Sequence, residues 1–184
     1  MRNISFVVLA VLLVVALGIA LWRAHLRTRR SADVTWDDLL KRLTWIDRNA
    51  IATIALDVIN ESGEPLPHGD GFTLESDAIW NLLGGLDGLE TMQRNCQVLV
   101  DLATYVQRFH PEALVVAENL RLNAREIQWH VERLRGAART GNLRATFDTY
   151  AQRAVVSYYL MTRNVLHLYS LFNCPHLAEL QQTI

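Results

Sequence analysis

Nineteen consecutive residues near the start of the chain, Ile4–Trp22 (ISFVVLAVLLVVALGIALW), carry no charge, and 17 of them are apolar. As a helix this run is about 28 Å long, close to the ~30 Å hydrocarbon thickness of a bilayer. It has no polar face to turn toward water, so it predicts one N-terminal transmembrane helix rather than an element of a globular core. Trp22 closes the run, where an amphipathic indole suits the headgroup region. Arg23, Arg27, Arg29 and Arg30 follow, whereas only Arg2 and the α-amino group precede it. Basic residues resist translocation, so this asymmetry predicts a single-pass inner (plasma) membrane protein with its C-terminal domain in the cytoplasm. The four arginines are then expected to lie against anionic lipid headgroups. A cleaved signal peptide would carry its basic residues before a shorter apolar stretch, and Ala16-Leu17-Gly18 is a poor cleavage site inside the run.

The net charge of −1 over 184 residues joins two unlike parts. Residues 1–30 hold five of the 18 Lys+Arg and no acid, which leaves 13 basic against 19 acidic residues in 31–184. The chain therefore reads as an anchor with a basic collar, 1–30, followed by an acidic domain, 31–184. An acidic domain excludes a generic nucleic-acid binder. Of the 154 residues after position 30, 73 are apolar, which excludes a disordered chain. Two cysteines, Cys96 and Cys174, are too few for a disulfide framework and form no CxxC. Arg outnumbers Lys 17 to 1, the bias of a GC-rich bacterial genome.

After the anchor, apolar residues recur at spacings of three and four with no strand-like alternation, which predicts an all-α domain. One helix is expected from about Trp36 to Asn60, with Leu39, Leu43, Ile46, Ala50, Ile54 and Val58 as its stripe and Gly63 and Pro65 beyond its end. A loop at 63–73 precedes a short helix near Leu74–Leu83, and Gly84, Gly85 and Gly88 break the chain. Three more long helices are expected at about Leu86–Phe109, Pro111–Arg139 and Leu143–Asn173, then a short tail. Short links favour antiparallel neighbours, so the expected fold is an up-and-down bundle of four long helices with short accessory helices.

The helix faces are more informative than any motif. In the helix near 111–139, Val116, Leu120, Ala124, Ile127, Val131, Leu134 and Ala138 share one face. Val115, Leu122 and Trp129 fall nearly opposite, where an outer bundle helix should be polar. In the helix near 86–109, Cys96, Leu99 and Ala103 define a seam with Val98, Leu102, Tyr105 and Phe109 across from it. Ala154–Phe172 is apolar almost all round, with Arg163 its only full charge. A second membrane span there would hold Arg163, Asn164 and His167 near the bilayer centre, at a cost of several kcal/mol. Leu122, Trp129, Tyr105 and Phe109 are therefore the candidate partner contacts.

Catalytic and metal chemistry finds little purchase. Di-iron bundles need Glu-x-x-His on two helices, and none occurs. Glu126 and His130 are four apart but off the main seam, and Cys174-Pro175-His176 lacks a third group to orient a nucleophile. His68-Gly69-Asp70-Gly71 has too few oxygens for a calcium loop. The glycines at 84, 85 and 88 follow a helix and lack the lysine of a phosphate cradle. No enzyme, metal or cofactor is expected.

These readings predict an interaction or scaffold module that self-associates or binds a protein partner. The alternative is a bundle holding a small apolar ligand or metal in its core, near Cys96, Met92, His110 or His167. The layout, an anchor followed by a helical bundle, resembles that of LemA-type membrane proteins. The resemblance is one of architecture and implies no function.

Overall fold

A computed structural model describes residues 35–66 and 73–184, together with Val15 and Gly18. The predicted span Ile4–Trp22, apart from those two residues, lies outside the described residues, as do Arg23, Arg27, Arg29 and Arg30 and the loop around Asp70. The chain divides into two compact units, Met1–Trp36 and Asp37–Ile184. The described residues are all-helical, without a named strand. Seven helices can be bounded among the described residues: α1 Trp36–Arg42, α2 Arg48–Leu56, α3 Ser76–Leu83, α4 Gly85–Gln107, α5 Ala113–Arg139, α6 Phe147–Leu171 and α7 Leu177–Thr183. Among the described residues no helix is long and apolar enough to cross a membrane, α6 included.

Three long helices, not four, carry the core. Polar contacts give their directions. Arg135 reaches Glu90 at 2.9 Å and Arg121 reaches Thr104 at 3.0 Å, so α4 and α5 run antiparallel. Ser157 meets Glu126 at 3.2 Å while Trp129 packs on Tyr150, so α5 and α6 are also antiparallel. The Tyr169 hydroxyl donates to the Leu102 carbonyl at 3.1 Å, and Tyr158 lies beside Asn95, which makes α4 and α6 parallel. Leu89, Met92, Leu99 and Leu102 of α4 close this interior with Leu120, Ile127 and Leu134 of α5 and Met161 and Val165 of α6. Each is fully shielded, and burial of one such side chain contributes about 1.5–3 kcal/mol. The helix α2 lies on α6, α3 bridges α2, α4 and α6, and α7 folds back on α6. Arg48, at the start of α2, donates from Nη1 to the Gln181 carbonyl at 2.6 Å and from Nη2 to the Gln182 carbonyl, satisfying carbonyls at the end of α7.

The first expected helix is corrected. Instead of one element to Asn60, the chain leaves helix after Arg42 and re-enters it at Arg48. Two side chains cause the break. Asn95 of α4, buried, accepts from the Thr44 N–H at 2.9 Å and donates to the Thr44 carbonyl at 2.7 Å, so it takes both backbone groups of that residue. Asp47 then caps α2, accepting from the Asn49 and Ala50 N–H groups at 2.9 and 3.2 Å. Further on, Asp57 accepts from the Thr73 and Leu74 N–H groups, each at 3.2 Å, and so gathers the two ends of the intervening loop. The corner between α3 and α4 needs its glycines. Gly84 and Gly85 both have φ +70°, and a Cβ on Gly88 would fall 1.7 Å from the Leu83 carbonyl oxygen.

Candidate interaction surface

The outer face of α5 carries the most unusual feature of the helical domain. Val115, Leu122 and Trp129 recur at intervals of seven along this 27-residue helix and are 67%, 59% and 46% exposed. They line one stripe because seven residues nearly complete two helical turns. The opposite face of α5 is spent on the core through Ala117, Leu120, Ile127, Val131 and Leu134. Among the described residues nothing covers the outer stripe. Trp129 is braced rather than free: its ring meets Tyr150 of α6 edge-on at 5.6 Å, and the Arg133 guanidinium sits 5.1 Å from its centroid. A rigid, half-exposed indole of this kind is the side chain most enriched in contacts that dominate binding.

Tyr105 and Phe109 form a separate, smaller feature at the turn from α4 into α5. Their rings meet edge-on at 5.8 Å, and Arg108 lies 5.1 Å from the Tyr105 centroid. Phe109 is 68% exposed, whereas Tyr105 is half-buried and offers only part of its ring. The rest of the second apolar face expected for α4, Val98 and Leu102, is buried within the fold.

Two exposed aromatic positions are absent from the sequence reading. Trp45, 80% exposed, sits in the break between α1 and α2. Trp80 and Phe147, with ring centroids 4.9 Å apart, line a groove of about 260 Å³ with Ser76, Asp77, Leu143 and Arg144. Trp45 escaped because the expected helix ran through it. The groove joins segments about seventy positions apart, which no local spacing reveals.

The groups weighed for chemistry are dispersed. His110 stacks on Phe172 at 4.3 Å and His167 is exposed, while Asp101, the acid on α4 nearest to His110 in sequence, is taken by Arg42 at 2.9 Å. Among the described residues no group of three or more His, Cys, Asp or Glu is placed to hold a metal ion. Met92 and Cys96 are packed into the core, and burial pushes the Cys96 thiol up to about 12, far from a reactive thiolate. Burial also raises the Cys174 thiol. His130 is buried beneath Trp129 and Tyr150, with its Nε2 3.6 Å from Glu126, longer than a hydrogen bond. Desolvation lowers its pKa below the usual 6.5, against the opposing pull of Glu126.

No protein-family model, curated protein or solved structure matches this chain.

Proposed function

We propose that this is a single-pass inner-membrane protein of a bacterium, anchored by Ile4–Trp22, whose cytoplasmic helical domain is an interaction module that self-associates. The observation that carries this reading is the stripe Val115, Leu122 and Trp129, exposed at regular intervals along a helix whose other side already fills the core. An apolar row of this regularity has no use in water, and its natural occupant is another protein surface. Phe109 and the exposed part of Tyr105 extend the contact at the turn before α5. Arg23, Arg27, Arg29 and Arg30 hold the membrane side through lipid headgroups. The composition supports the same division, with a basic collar beside the bilayer and an acidic domain beyond it.

The test is the mass of the full chain in mild detergent, measured by sedimentation. The expected species is larger than a monomer and shrinks when Leu122 or Trp129 is replaced by Asp. A mass that neither substitution changes overturns the proposal.

A further inference from the structure

We infer that the occupant of the α5 stripe is the α5 of a second copy, running antiparallel, with a two-fold axis passing beside Leu122. This deepens the self-association proposed above and rests on it. The stripe is itself symmetric about Leu122, because Val115 lies seven residues before it and Trp129 seven after. At 1.5 Å per residue each is about 10 Å away, and at 100° per residue each lies within about 20° of the Leu122 direction. An antiparallel pair centred there sets Leu122 on Leu122 and Trp129 on Val115 at both ends, a large side chain against a small one. A parallel pair would instead put two indoles together at one end and two valines at the other, so the helices could not keep one spacing.

The charges agree with the same register. Glu118 and Arg125 lie on one flank of the stripe, roughly 40° and 60° from Leu122, four residues before it and three after. A two-fold perpendicular to the helix carries each residue to the same flank at the mirrored height. Glu118 therefore faces Arg125 of the second copy, and Arg125 faces Glu118, so each interface holds this pair twice. Within one chain Glu118 pairs with Arg121, while Arg125 has no ion pair among the described residues. A strip about 40 Å long and 10 Å wide is roughly half the ~800 Å² per partner of a standard interface, so the dimer is weak. Confinement of both copies to one membrane would offset that through local concentration.

Charge reversal in the full chain, followed by sedimentation over a range of concentrations, tests the register. Glu118→Arg and Arg125→Glu should each raise the dissociation constant about tenfold or more, since each puts like charges together twice. The double variant E118R/R125E should restore association to near its original strength. Circular dichroism melting of each variant separates a lost contact from a lost fold, because Glu118 also pairs within its own helix. Loss in Arg125→Glu with none in Glu118→Arg would indicate a parallel pair, in which Arg125 faces Glu126, and would overturn the inference. If Leu122→Asp dissociates the protein but neither reversal does, the antiparallel register is wrong and self-association stands. If Leu122→Asp has no effect, both fall.

Discussion

His130 is buried with Trp129 on its own helix and Tyr150 and Arg153 on α6, and only Glu126 favours its charged form. Its pKa is therefore lower in the fold than in the unfolded chain, where it is near 6.5. The sign follows from linkage: where the unfolded state takes up the proton first, acidification favours unfolding. Above about pH 7 both states are neutral here and His130 gives no slope. Stability should fall as pH drops from 6.5 toward the folded-state value. In His130→Phe that fall should shrink. Melting temperatures at half-unit steps from pH 7.5 to 5 would check it, and equal slopes in both proteins would refute it. The sequence placed Leu122 and Trp129 on the outer face of α5 by helical arithmetic alone. It did not show that His130, one position further on, is buried, because that depends on where Tyr150 of another helix lands.

At the level of elements, spacing read the long helices well because each has an unbroken apolar row. The failure at α1 and α2 has a different origin. Leu39, Leu43, Ile46 and Ala50 keep helical spacing straight through the break, and the residue that interrupts them, Asn95, is 51 positions away. Its amide mimics a backbone and claims Thr44, so tertiary contact overrides local periodicity. Asn95→Ala leaves both Thr44 backbone groups without their partner and should lower unfolding stability by about 2–4 kcal/mol, read by urea titration. Gly88→Ala should cost at least about 2 kcal/mol, since the added methyl meets the Leu83 carbonyl and the α3–α4 corner must open. An unaltered midpoint for either variant would mean that the contact contributes nothing. Of the three glycines expected to break the chain, only Gly84 separates the helices, as the left-handed cap of α3; Gly85 and Gly88 lie in the first turn of α4, where the tight corner, not a helix end, requires them.

On the scale of the whole molecule, the split between an uncharged N-terminal run and an acidic helical domain is visible in composition, and the cytoplasmic orientation proposed above rests on that split. A reporter joined after Ile184 should be active only in its cytoplasm-competent form, and activity of a periplasm-competent reporter would reverse the orientation. That fusion needs a flexible spacer, because Arg48 holds the carbonyls of Gln181 and Gln182. The same polar clasps have a mechanical consequence. Arg42 grips Asp101 and Thr44 grips Asn95, two points about 9 Å apart along the side of α4. Tension entering through the N-terminal end of Asp37–Ile184 is taken first by these side-chain contacts and the buried Leu39. The three long helices lie behind them in the load path. Under a pull the short leading helix would peel away as a fuse, while the surface on α5 kept its shape.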